Sequence, residues 1–305
     1  MPSSDAAPFS RRAFVRTLGL AGAAVAAAPL VNESVFRAAA GDPRTLVLIH
    51  LAGGHDGWST FVPADSDDYY RARPTLALRR PELLRLSESL WLNRAASDLA
   101  PLFERGELGI VPQVGLAPAS LSHYRATQVW LSGGAPEEIE TTPWFARGNA
   151  TVTELSGDFS ASLARVGTEA AARDETEVFF VRLGGFDTHF DQRVAHDAAI
   201  AAFARGVAQL QRALARRGVA ERVLTVAFSE FGRTLAENEF SGTDHAAAGP
   251  CCFIGPGVRG GVLGRFDPTV AAPVIDHRRV IATCESWLGW AEGAGATFKS
   301  LPVLT

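Results

Sequence analysis

The chain has 305 residues, of which 47% are hydrophobic and 20% charged, and its formal net charge is −4. That length and composition supply one large core or two small ones and exclude global disorder. The mildly acidic balance excludes nucleic acid as the main partner, because a phosphate backbone calls for a basic face. 

The only lysine is Lys299, so nearly all positive charge is arginine. Cys251, Cys252 and Cys284 form no CxxC pair, and adjacent cysteines rarely bridge each other. Neither a disulfide framework nor a thiolate zinc site is expected, and Cys251 and Cys252 read as small buried hydrophobes.

The N-terminus reads as an address. Ser10-Arg11-Arg12-Ala13-Phe14-Val15-Arg16 matches the twin-arginine export pattern. An Ala-rich apolar stretch follows over 18–31, and Ala38-Ala39-Ala40 offers a small-residue cleavage site. The expectation is a signal peptide over 1–40 and a single domain over 41–305. The twin-arginine translocase would carry it, already folded, to the periplasm or beyond. No later stretch is long and apolar enough to span a membrane.

In the mature chain, 45–51 is a near-continuous apolar run and predicts a central parallel strand. Gly53-Gly54-His55-Asp56-Gly57-Trp58-Ser59 then ends a strand in two glycines and presents Asp56, either as a ligand or as a turn residue. The polar, Arg-rich 65–81 reads as a surface excursion. The spacing of Leu99, Leu102 and Phe103 predicts a helix over 90–105, and 108–114 predicts a strand that Pro112 pushes towards an edge or a bulge. Ser120 or Ser122 is expected to cap the short helix that Gly133-Gly134 closes. A hydroxyl, His123 and Arg125 at that helix start also form a natural anion cradle.

The region 135–174 carries no legible chemistry beyond an amphipathic helix over 159–173. The apolar run 178–183 predicts a buried strand, broken by Gly184-Gly185, and Asp187 and His189 follow at once. A strand that ends in Gly-Gly and hands over an acid and an imidazole describes the mouth of an open α/β sheet. A long helix is expected over 190–217 and a strand over 222–228, from which Ser229-Glu230-Phe231-Gly232-Arg233 emerges. Gly242-Thr243-Asp244-His245 precedes a short apolar strand over 250–254, and a last helix covers 276–290.

Strands alternate with helices, so the predicted class is α/β with a mostly parallel, doubly wound sheet flanked by helices. Acids and imidazoles follow four strand ends: Asp56; Asp187 and His189; Glu230; Asp244 and His245. Parallel strands put those ends on one edge, so these groups are expected to converge. His50 reads as a hydrogen-bonded core residue, His277 as lying near the last helix start, and His196 as solvated on the long helix. His55 stays open between a bystander and a support for Asp56.

The export motif, Gly53–Trp58, Ser122-His123-Tyr124-Arg125-Ala126, Gly184-Gly185-Phe186-Asp187-Thr188-His189, Ser229–Arg233 and Gly242–His245 together resemble the domain of unknown function 1501 family. That family is grouped with the alkaline phosphatase and sulfatase superfamily, which implies an alkaline phosphatase-like fold with a site for one or two divalent ions, Zn or Mn first. The resemblance implies Asp56, Asp187, His189, Glu230, Asp244 and His245 as metal ligands, and Ser122, placed where the superfamily has its nucleophile, with His123 and Arg233 as the catalytic group. Four departures stand out. Asp187 and His189 are one residue apart rather than three. Phe231 occupies the place of a second-metal His. The Cys-x-Pro-x-Arg motif of formylglycine sulfatases is absent, and 135–175 is short.

The implied chemistry is metal-dependent hydrolysis of a phosphate or sulfate ester, on an anionic small-molecule or polymer substrate. Two ions about 4 Å apart would clamp the attacking and leaving oxygens of an in-line displacement. Ser122 would be activated by coordination, with Arg233 or Arg125 neutralising an ester oxygen. The rival is an exported binding or scaffold protein that keeps the fold without the chemistry. A third reading has one ion on Asp187, His189 and His245, mainly stabilising the fold.

Overall fold

The structure is a computed structural model that describes residues 43–116, 119–138, 140–268, 272–290 and 298–305. The twin-arginine motif, the apolar stretch 18–31 and the cleavage site at 38–40 lie outside the described residues. The elements run β1 (Thr45–Leu51), α1 (Gly57–Thr60), β2 (Phe61–Val62), α2 (Asp67–Ala72), β3 (Leu83–Arg85), β4 (Trp91–Asn93), α3 (Ala100–Glu104), β5 (Leu108–Gly115) and α4 (His123–Ser132). They continue with β6 (Thr151–Leu155), α5 (Phe159–Ala172), β7 (Glu177–Leu183), α6 (Gln192–Arg216), β8 (Val223–Phe228), β9 (Gly232–Glu237), β10 (Thr243–Ala246), β11 (Ala248–Ile254), β12 (Gly261–Val262), β13 (Ile275–Asp276) and α7 (His277–Trp287).

The main sheet has the order β12-β5-β11-β8-β1-β7-β6, with β13 also on β5. Strand β1 is buried along its whole length and pairs in parallel with β7 and β8. Because side chains alternate along a strand, Val47 and Ile49 point to one face and Leu46 and Leu48 to the other. The first face packs on α5 and α6 through Leu163, Val166, Phe203 and Val207. The second packs on α4 and α7 through Trp130, Val280, Ile281 and Cys284. Both faces are covered, which is why β1 tolerates no polar alternation. The three cysteines are free and buried, as expected.

Several local expectations are corrected. Strand β11 lies between β5 and β8 and runs antiparallel to both. Its first residue therefore sits at the edge where the parallel strands end, and this reversal is what delivers the preceding hairpin to that edge. Pro112 lies inside the sheet, at a bulge: Gln113 has φ +50°, and the register against β11 slips between Gly249 and Cys251. The expected helix over 90–105 divides into β4, a 3-10 turn at Arg94–Leu99 and α3. Trp91 and Leu92 pair with β2, and the helix begins where Pro101 fits the first turn. Strand β6, at the sheet edge beside β7, was not legible because only Leu155 of its five residues is buried. The 65–81 excursion is anchored rather than free, with Tyr69 and Arg73 fully buried.

Candidate metal centre

The site forms where the loops after β1, β7 and β8 meet the β9–β10 hairpin and the start of α4. Gly53 makes this meeting possible. Its φ is +120°, and a Cβ there would lie 2.4 Å from the Asp187 backbone nitrogen. Only glycine lets the β1 loop lie against the β7 loop so closely. In the hairpin, His245 stands opposite Arg233. His123 is the first residue of α4.

The hydrogen-bond network fixes which ring nitrogens carry protons. The Nδ1 atom of His245 lies 2.9 Å from the Leu121 carbonyl oxygen. A carbonyl can only accept, so Nδ1 holds the proton and Nε2 presents a lone pair. That Nε2 faces Asp187 Oδ1 at 3.4 Å and His189 Nε2 at 3.0 Å. His123 repeats the pattern: Nδ1 lies 2.8 Å from Glu230 Oε1, and Nε2 faces Asp187 Oδ2 at 3.3 Å. His189 Nε2 lies 3.2 Å from Arg233 Nη1, which can only donate, and 3.1 Å from Asp187 Oδ1. Electron pairs on His123, His245 and the Asp187 carboxylate thus point at one another, and His189 stands beside them with its Nε2 accepting from Arg233. Ligand atoms of His123, Asp187 and His245 all lie within 4.8 Å of each other. Such a convergence of acceptors is relieved by a cation, and nitrogen with oxygen donors suits a divalent ion of the zinc or manganese kind.

Electrostatics keep these groups in the required forms. Burial lowers the His245 pKa against the pull of the Leu121 carbonyl, so its ring stays neutral at pH 7. Burial alone would raise Asp187, but the hydrogen bond and the charge of Arg233 oppose it, and the carboxyl is held below its ordinary value. Burial would likewise raise Glu230, yet its hydrogen bond and charge interaction with His50 bring it down to about 2.

Glu230 stands behind His123 rather than facing the cluster. Its Oε2 lies 2.9 Å from His50 Nε2, and its Oε1 accepts from the Gly53 amide at 2.9 Å as well as from His123. A carboxylate that holds the far nitrogen of a ligating histidine fixes its tautomer and ring orientation. His50 is hydrogen-bonded in the core, and its partner is this acid. Sequence reasoning missed both His50's link to the site and His123 as a donor to the cluster. The signal for His123 was its place at the first turn of a helix after a strand.

Asp56 is not brought into the cluster. It is fully buried, and its oxygens accept from Arg73 at 2.7 and 2.9 Å, from the Ser59 hydroxyl at 2.7 Å and from Gln192 at 2.5 Å. It also caps α1 through the Trp58 amide. With every lone pair engaged, it has none for an ion. The Arg73 ion pair overcomes the burial penalty and holds Asp56 well below the carboxylate range. Next to it, His55 donates to or accepts from Thr60 Oγ1 at 2.7 Å and stacks on His196 at 5.7 Å. His196, expected in solvent, is 1% exposed.

Arg233 is engaged by the protein's own groups. It is buried, and its guanidinium donates to the carbonyls of Gly53, Gly54, Phe186 and Thr243 as well as to Asp187 and His189. It binds the loops together and has no donor to spare for a ligand. Arg125 is tied to the carbonyls of Pro136 and Glu138. Asp244 is exposed, with Oδ1 3.6 Å from His189 Nδ1, on the outer side of that ring. Ser122 takes the N-cap position of α4, but its side chain makes no capping bond and is exposed to solvent. The Phe231 ring packs on His123 at 4.9 Å and on His245 at 4.3 Å, filling the space beside the cluster.

Residues 149–287 match the profile of a family described as protein of unknown function (DUF1501). No curated protein matches the chain in sequence. Among solved structures, the C-terminal periplasmic domain of EcEptC from Escherichia coli, in complex with Zn, is 12% identical, covers 82% of this chain and 83% of its own, and has a TM-score of 0.51. The lipoteichoic acid synthase LtaP from Listeria monocytogenes is 9% identical over 84% of this chain and 74% of its own, with a TM-score of 0.48. A protein in the alkaline phosphatase superfamily from Vibrio parahaemolyticus is 9% identical over 84% and 69%, with a TM-score of 0.45. The fold is a mixed α/β sheet with flanking helices, as in the EcEptC domain.

Proposed function

We propose that the protein, whose residues 149–287 match the DUF1501 family profile and whose fold resembles that of the EcEptC domain, is an exported, metal-dependent hydrolase of phosphate or sulfate esters. The observation that carries this reading is the convergence of ligand atoms of His123, His245 and Asp187, all within 4.8 Å of one another, with the opposing ring nitrogens of His123 and His245 held by Glu230 and Leu121. A divalent ion there, Zn in the first place, would act as a Lewis acid towards an ester oxygen and acidify a bound hydroxyl. The EcEptC domain holds Zn on the same fold, which supports that choice.

The chain's own residues have separable tasks. Glu230, backed by His50, keeps the proton of His123 on Nδ1. Arg233 pins the Asp187 carboxylate and accepts no substrate contact. Ser122, uncapped and exposed beside His123, is the nucleophile in this reading. The twin-arginine motif at 10–16 supports export to the periplasm, and among the described residues no helix is long and apolar enough to cross a membrane. The test is to purify residues 41–305, measure bound metal, and assay 4-nitrophenyl phosphate and 4-nitrophenyl sulfate with the parent chain and Ser122→Ala. Metal with turnover that Ser122→Ala abolishes supports the hydrolase. A chain without metal and without turnover ends it.

A second reading has its own observation. Phe231 packs on His123 and His245, where the family resemblance implies a ligand of a second metal, and Arg233 is sealed, so a cation and its anion could be held without in-line displacement. A binding or scaffold protein predicts stoichiometric metal, no turnover on either ester, and a Ser122→Ala variant indistinguishable from the parent.

A further inference from the structure

Among the described residues six large apolar side chains are exposed, and five of them, Leu121, Tyr124, Phe190, Val194 and Phe240, border the cation cluster in the chain or in space. The Leu121 carbonyl holds His245, Tyr124 follows His123, and Phe190 follows His189. Phe240 packs on Phe190 at a centroid distance of 4.9 Å, and its carbonyl accepts from the Asp191 amide at 3.0 Å. Val194 lies in the first turn of α6. Apolar side chains scattered singly need no explanation, but a concentration of them beside a polar site marks a surface that meets a ligand.

Charge around this collar narrows the ligand. The exposed charges beside the aromatic groups are acidic: Asp187, Asp191, Glu239 and Asp244. Of the neighbouring arginines, Arg182 is exposed on β7 in register with His50, whereas Arg125 is committed to carbonyls, Arg193 to Glu82 and Asp197, and Arg233 to the loops it joins. A cation in the cluster therefore offers a place for one anionic group, while a second anion on the same ligand meets carboxylates. We infer that this site selects a mono-ester whose single phosphate or sulfate sits at the cation and whose organic part is aromatic or otherwise apolar, lodged against Phe190, Phe240 and Tyr124, and that it discriminates against polyanionic polymers. The inference rests on the cation site proposed above and assigns its substrate class.

Binding of non-hydrolysable analogues tests this without relying on turnover. The Zn-loaded chain is titrated calorimetrically with 1-naphthylphosphonate, methylphosphonate and a sulfated oligosaccharide, alongside the Phe190→Ala/Phe240→Ala and Tyr124→Ala variants. The naphthyl compound should bind at least about tenfold tighter than the methyl compound, from the apolar area it removes from water. The ratio should collapse towards one in Phe190→Ala/Phe240→Ala, with metal content unchanged, and the sulfated oligosaccharide should bind more weakly than either. Equal affinity for the two phosphonates in a metal-loaded chain overturns the substrate class alone. So does tighter binding of the sulfated oligosaccharide, or a solution dimer that the Phe190→Ala/Phe240→Ala change dissociates. A chain that takes up no Zn overturns the hydrolase reading and this one with it.

Discussion

The Nε2 atoms of His189 and His245 stand 3.0 Å apart, and neither ring has a proton to place between them. Arg233 donates to the first ring, and the Leu121 carbonyl holds the proton of the second on its far nitrogen. With the His189 lone pair met by Arg233, the His245 lone pair still faces the Asp187 carboxylate at 3.4 Å, an arrangement that a cation between them would relieve.

Removing one of them should remove the ion. His245→Ala is expected to lose bound metal after dialysis, while the parent keeps it. Added Zn should raise the melting temperature of the parent, by about 2.7 kcal/mol of stability at a hundredfold excess over Kd, and leave His245→Ala unmoved. Equal metal content in both chains would falsify the assignment.

Glu230 acts through His123, so its loss should be graded rather than total. Glu230→Gln retains size and one acceptor oxygen but not the charge that His50 and His123 share. Its metal affinity should fall about 10- to 100-fold, with the far-ultraviolet circular dichroism unchanged. Competition with a chelator of known affinity measures the difference. An unaltered affinity would mean that His123 is held by its helix alone.

The buried pair Asp56 and Arg73 should behave as a structural unit. Arg73→Met strands the Asp56 charge in the core and is expected to cost about 3–5 kcal/mol in urea unfolding. Asp56→Leu combined with Arg73→Met should recover much of that loss, because no lone charge remains. A double variant as damaged as the sum of the two singles would show that the two residues do not act together.

Acid should destabilise the fold in two stages. Burial, then the charge of His196, holds His55 down to about 3, and burial lowers His196 as well. In the unfolded chain both titrate near about 6.5. Below that value the unfolded state binds protons that the folded state refuses, so stability falls as pH drops from about 6.5 towards 3. Glu230, held at about 2, and Asp56, also lowered, add a second loss. Their contribution is complete above the ordinary carboxylate value and disappears as pH falls below it through the folded value. Urea unfolding at several pH values should show both stages. His196→Phe keeps an aromatic ring over His55 and should lower the proton uptake between about pH 7 and 5 by about one. A parent whose stability is flat across that range would contradict the buried pair's neutrality.

Much of the scaffold was legible along the chain. The runs at 45–51 and 178–183, each closed by two glycines, became β1 and β7, because a strand covered on both faces admits no polar alternation. The helices at 159–173 and 190–217 showed their apolar spacing and appear as α5 and α6. The resemblance led to Asp187, His189 and His245 as one group, and the structure brings these three together with His123. What the chain alone did not decide is which acid receives which partner. Asp56 and Asp187 both follow a Gly-Gly turn, yet Arg73, 17 residues away in an apparent surface loop, is buried on the first and leaves the second facing three imidazoles. Local pattern determines where a strand begins and ends. Tertiary packing alone determines which distant cation is desolvated against a carboxylate, and so which carboxylate remains available to an ion.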